Sequence, residues 1–160
     1  MNTAWITAPP ALAAVSRATL CIRIAVGVVF LSEGLQKFLY PEALGAGRFA
    51  KIGIPWPALT GPFVGSIETV CGALILIGLF VRVAAIPLIV DMLVAIASTK
   101  GPILVGHGYL GFADPASPKT GMWSMLHEAR TDLAMLCGAI FLVVAGAGAW
   151  ALDERLRSRQ

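Results

Sequence analysis

Apolar residues in this chain come in long runs, with none of the strict alternation that a half-buried strand or a membrane β-barrel requires. A helix needs about 20 mainly apolar residues to cross a bilayer core. Four segments reach that length: 16–40, 60–80, 82–100 and 130–151. An open sheet is excluded, because lipid cannot satisfy the hydrogen bonds of its edges. The pattern predicts an all-α polytopic membrane protein, an antiparallel four-helix transmembrane bundle formed by a single domain, 1–160.

The connections differ. Residues 41–59 hold "ALGAGRFAKIG", which suits a short interfacial helix stopped by Gly53 and Pro55. Around Val81 and Arg82 the link is very short and demands a hairpin. Residues 101–129 are long, rich in Gly and Pro, and carry both histidines, His107 and His127. Loops of that length are often functional or mobile. Tyr40, Trp56, Trp123 and Trp150 lie near segment ends, where amphipathic aromatics settle at membrane interfaces.

Composition agrees with this reading. The 160 residues are 58% hydrophobic and 13% charged, against roughly 25% charged in ordinary soluble domains. Mean hydropathy is +0.82. A formal net charge of +3 does not indicate nucleic-acid binding, since the basic residues are scattered or terminal. Arg17, Arg82, Arg155, Arg157 and Arg159 fall on the side of the termini. That cluster favours cytoplasmic termini in a plasma (inner) membrane. "MNTAWITAPPALAAVS" has no positive n-region, so no cleaved signal peptide is expected. Cys21, Cys71 and Cys137 sit singly in apolar segments and read as small hydrophobes. No HxxH, HxxxH or Cys/His cluster suggests a metal site.

Charges inside the spans change the picture. Segment one holds Arg23, Glu33 and Lys37, segment two Glu68, segment three Asp91, and segment four opens with Asp132 after Glu128 and Arg130. Ionisable groups at such depths are costly and usually face the bundle interior. Running the helices alternately up and down puts Glu33, Lys37, Glu68, Lys100 and Asp132 in the half away from the termini, with Asp91 near the middle. His107 follows in the loop on that side, and Arg23 alone sits nearer the terminal side. Lys37, Glu68 and Asp91 are the candidates for proton chemistry. Arg23, Glu33, Lys37, Glu68, Asp91, His107 and Asp132 are the candidates for a polar pocket. Glu33 and Lys37, four apart on one helical face, form either a wall of that pocket or an interfacial pair reaching water. His107 and Asp132 have ordinary alternatives too, an exposed loop histidine and an acid at a helix N-terminus.

Glycines mark the packing faces. Arg23, Gly27, Phe30, Gly34 and Lys37 form one stripe; Gly61, Gly65, Glu68 and Gly72 form another. Small residues let helices approach closely in lipid, so the stripes, with Gly27, Gly34, Gly65 and Gly72 at their centre, should face each other. Pro87, four residues before Asp91, either kinks its helix beside a ligand cavity or is a packing irregularity.

"RIAVGVVFLSEGLQK" resembles the first-helix pattern of the DoxX family, an arginine, spaced glycines and a terminal lysine. "FAKIGIPWP" followed by "ETVCGALILIGLFVRVAA" is similar to its next block, and "GAGAWALDERL" to its Gly-x-Gly-x-x-Ser-Leu-Asp ending, with Ala151 in place of the serine. The resemblance spans about residues 17–156. It carries over most firmly onto Arg23, Gly34, Lys37, Glu68, Gly72, Gly78 and Asp153, and leaves Glu128 and Asp132 as rivals for the family's fourth-helix acid. It implies a four-helix membrane protein linked to thiosulfate:quinone oxidoreductase and membrane redox assemblies, with quinone as the implied cofactor. The implied function is a subunit of a quinone-linked oxidoreductase. The alternatives are a non-catalytic anchor for a soluble redox enzyme, and a small-molecule or proton pathway. The lipid bilayer is the expected partner, with a soluble redox partner or a second copy beside it. The chain has no haem-type CxxCH, ferredoxin cysteine set or dinucleotide fingerprint, so electrons would come from a substrate or a partner.

Overall fold

The computed structural model describes residues 12–148 and 150–153, with side chains from residue 17 onward. The N-terminal stretch and Arg155, Arg157 and Arg159 lie outside the described residues. Helix α1 runs Leu12–Leu39, α2 Ala46–Ile52, α3 Pro57–Ile77 and α4 Val81–Ala95. A π turn, Ile96–Lys100, joins α4 to α5, Gly101–Val105, and α6 closes the fold at Met122–Ala145. Among the described residues there is no strand.

Three stretches are long and apolar enough to cross a membrane: Arg17–Leu39, Pro57–Ile77 and Val81–Val105. The α6 helix is as long, but Glu128, Arg130 and Asp132 crowd its first half. The four apolar spans expected from sequence thus resolve into three, plus one helix with a charged beginning.

Boundaries shift for identifiable reasons. The second span starts at Pro57 rather than residue 60, because proline at the first helical position has its backbone angle already set and no N–H to lose. It stops at Gly78, whose φ of 75° turns the chain sharply into α4. The third span runs past residue 100. Pro102 has no N–H for the helix ladder, and the π turn just before it widens the helix to admit it. The last helix begins at Met122, eight residues ahead of the expected 130, and ends before Gly146. Residues 106–121 form an ordered loop rather than a slack one. Asp114 accepts from Gly108 N (2.8 Å), Ala113 N donates to Ile52 O (3.1 Å) and Gly121 N donates to Ile103 O (2.8 Å).

Helix α1 packs on α3, α4 on α6, α3 on α4, and α1 on α6. The α1–α3 contact is a glycine seam. A Cβ on Gly34 would lie 2.5 Å from Thr69 N and 2.7 Å from Gly65 O; one on Gly72 would lie 2.6 Å from Leu31 N. A side chain there would collide with backbone. The core is Val26, Phe30, Ile75, Val81, Ala85, Leu88 and Leu142, each 0–1% exposed.

One end of the molecule is clasped shut. Arg23, buried in α1, donates from Nε to Ile75 O (3.1 Å), from Nη2 to Leu76 O (3.1 Å) and from Nη1 to Ala147 O (2.8 Å). Beside it Asp153 accepts from Phe80 N (3.1 Å) and donates its own N–H to Gly78 O (3.0 Å). Arg23 therefore satisfies the last carbonyls of α3, which have no partner inside the helix. The start of α1, the end of α3, the start of α4 and the end of α6 meet here, so the four long helices alternate in direction. The opposite end is hollow.

Candidate functional site

At the hollow end a cavity of about 440 Å³ lies among α1, α2, α3, α4 with its π turn, and α6. Its walls are largely apolar, from Phe30, Phe49, Ile54, Val64, Met92 and Met135. Its charged lining comes from every surrounding element: Glu33 and Lys37 from α1, Arg48 from α2, Glu68 from α3, Asp91 from α4, Lys100 from the π turn and Asp132 from α6.

Lys37 Nζ lies 2.5 Å from Glu68 Oε2, with side chains 11% and 4% exposed. The pairing follows from the glycine seam. Gly34 and Gly65 bring the α1 and α3 backbones together, and Lys37 sits one turn beyond Gly34 on the same face. Asp91 faces this pair and is under the electrostatic influence of Glu68, Lys37, Asp132 and Glu33. Its carboxyl is buried against that of Glu68, so the two acids interact directly. At the cavity's outer part Lys100 Nζ lies 3.5 Å from Asp132 Oδ2.

The π turn shapes this wall. Hydroxyls bond to its carbonyls: Thr99 Oγ1 donates to Ala95 O (2.6 Å) and Tyr109 Oη to Ala97 O (2.6 Å). Ser98, 2% exposed, and Thr99 line the cavity from this turn. Such turns are rare and frequent at functional sites.

Of the residues singled out from sequence, Glu33, Lys37, Glu68, Asp91 and Asp132 line this one cavity. Lys37 reaches across to Glu68 rather than down its own helix to Glu33. Two residues fall elsewhere. Arg23 belongs to the clasp at the far end, because its guanidinium is spent on three carbonyls. His107 is exposed in the loop, bonded through Nδ1 to the Gly108 carbonyl (2.8 Å), and lines neither cavity. Glu128 and Asp132 separate cleanly: Asp132 lines this cavity, Glu128 a second one nearer the loop. Sequence reasoning missed Arg48, Ser98, Thr99 and Thr131 as lining residues. The GP pair at 101–102 was the available signal for an irregular turn beside the site.

A family pattern designated DoxX matches residues 18–108. The chain is also similar to the uncharacterized membrane protein Rv3486 of Mycobacterium tuberculosis, 52% identical over 140 residues, which is 88% of this chain and 82% of that protein. No solved structure matches. With the apolar helices, the matched pattern and that relative agreeing, the chain belongs to the DoxX family of integral membrane proteins.

Proposed function

We propose that this protein is an integral membrane subunit of a quinone-linked oxidoreductase or membrane redox assembly. In this reading α6 is the fourth span, the termini face the cytoplasm, and the membrane is the bacterial inner membrane. The observation that carries it is the make-up of the cavity: an apolar slot with the Lys37–Glu68 pair and the buried Asp91 carboxyl at its head.

The residues present fit a quinone. The volume of about 440 Å³ lies within the range of small-molecule sites, roughly 300–1,000 Å³. Apolar walls suit a ring and prenyl tail. Lys37 can donate to a carbonyl oxygen, and Asp91 Oδ2 can accept from a hydroxyl. The group, when bound, supplies a redox couple that exchanges electrons and protons together. Lys37 holds and orients the polar edge. Glu68 and Asp91 hold protons next to it, and Asp132 with Lys100 continues the polar lining outward. The cavity reaches the surface past Phe63 and Val94, which line it and are 61% and 47% exposed, so a lipid-soluble substrate has a lateral way in.

The test is mass spectrometry of what co-purifies with gently solubilised protein, run beside Glu68→Gln. A stoichiometric quinone, lost in a variant that still accumulates, is the expected result. Bulk lipid together with a recurrent soluble protein would overturn the quinone site and make the chain an anchor for its partner.

A further inference from the structure

The second cavity, of about 560 Å³, lies between α2, the π turn, α5 and the 113–118 segment of the long loop. It shares a wall with the first. Arg48, Ile52, Ser98, Thr99 and Lys100 line both. The shared wall is polar on the π-turn side, where Ser98 and Thr99 donate their hydroxyl protons to Ala95 O and keep oxygen lone pairs as acceptors. Toward the loop the lining adds the polar side chains Lys51, Asp114, Ser117 and Glu128, set among Ala113, Pro115, Ala116 and Pro118.

The inward direction is closed. Phe30 and Met92 are the cavity's floor. Beyond them Val26, Ile75, Leu88 and Leu142, all 0–1% exposed, line neither cavity. Below that layer lies the Arg23 clasp, with its carbonyls taken. Water crossing from the terminal face would have to pass a packed apolar plug and then a satisfied hydrogen-bond cluster. Asp91 and Glu68 line the first cavity together with that floor.

We propose that the two cavities form one passage that brings water and protons to Glu68 and Asp91 from the loop face, and from that face alone. Titratable groups border the passage from every packed element: Glu33 and Lys37, Arg48 and Lys51, Glu68, Asp91 with Lys100, Asp114, and Glu128 with Asp132. Any proton taken up or released at Glu68 and Asp91 is then exchanged on one side of the membrane. The passage does not depend on what occupies the slot, so it stands apart from the quinone reading.

Cysteine accessibility tests it in the full-length protein. Cys21, Cys71 and Cys137 are first replaced by alanine, and single cysteines are introduced at Ser98, Thr99 and Met135, which line the first cavity. Lys119→Cys reports the loop face and Leu152→Cys the terminal face, both positions being exposed. A charged, membrane-impermeant methanethiosulfonate is applied to vesicles of both orientations. Expected is labelling of Met135→Cys and of at least one of Ser98→Cys and Thr99→Cys in the orientation that labels Lys119→Cys, and none in the orientation that labels Leu152→Cys. Labelling of Met135→Cys from the terminal face, or from neither face in folded protein, overturns the proposal.

Discussion

At the residue scale the informative group is Lys37. It holds Glu68 at 2.5 Å and also acts on Asp91, so one cation serves two buried carboxyl groups. That makes the pair asymmetric. Glu68→Gln removes one acid and leaves Lys37 with Asp91 in reach. Lys37→Met leaves Glu68 and Asp91 facing each other with no cation between them. Breaking a buried pair from one side typically costs about 3–5 kcal/mol. Lys37→Met should show a loss of that size in detergent unfolding, and Glu68→Gln a clearly smaller one; equal losses would mean that Asp91 does not share the lysine. The sequence made these charges conspicuous because ionisable groups at lipid depth are costly and usually face the bundle interior. It could not name the pair, since helical spacing ranks only neighbours on one helix and so offers Glu33. The true partner is set by how closely α1 meets α3. For Arg23 the sequence revealed depth but not purpose: three backbone carbonyls from two distant segments become its partners only after folding.

At the element scale the α1–α3 seam and the π turn decide where the site lies. A Cβ at Gly34 meets backbone, Thr69 N at 2.5 Å and Gly65 O at 2.7 Å, whereas one at Gly138 meets only side-chain methyls, Val26 Cγ2 at 2.6 Å and Ile22 Cγ2 at 3.7 Å. Backbone cannot step aside without parting the helices; a valine methyl can rotate or shift. Overpacking of a tight contact costs typically about 1–3 kcal/mol. Gly34→Ala should fall in that range or above it and weaken the Lys37–Glu68 approach, while Gly138→Ala should cost little, as read by thermal unfolding in detergent. Similar values for the two would argue that α1 and α3 separate freely. Glycine periodicity exposed this seam in the sequence because small residues at helical spacing have few other uses in lipid. The π turn left no comparable trace. The expected end of the third span is residue 100, yet the helix runs on through the π turn and past Pro102, and Ser98, Thr99 and Lys100 line the cavity there. The charged start of α6 misled the boundary for a similar reason. Charges lower the apolar signal over 122–132, but Asp132 turns into the polar cavity, where charge is tolerated.

For the whole molecule, the two ends differ in a way that bears on topology. The clasped end joins Arg23, Gly78, Asp153 and Ala147, four points spread over nearly the full chain, and fixes α1, α3, α4 and α6 in alternating directions. Helix α6 packs on α4 over a long contact and contributes the buried Ala139 and Leu142 to the same core as the apolar spans. A helix lying on the membrane surface would not share that core. Its charges are confined to the hollow end, where Lys100 meets Asp132, and its remaining length from Leu133 to Ala145 carries no formal charge. These features favour α6 as a fourth crossing that returns the chain to the side where α1 begins. Reporter fusions after Asp153 and within the 113–119 loop then have a definite expectation. The loop reporter should lie opposite one placed ahead of α1, and the C-terminal reporter on the same side as it. If instead the C-terminal and loop reporters share a side, α6 does not cross, and the polar cavity would be the mouth of a three-span protein open to water along α6.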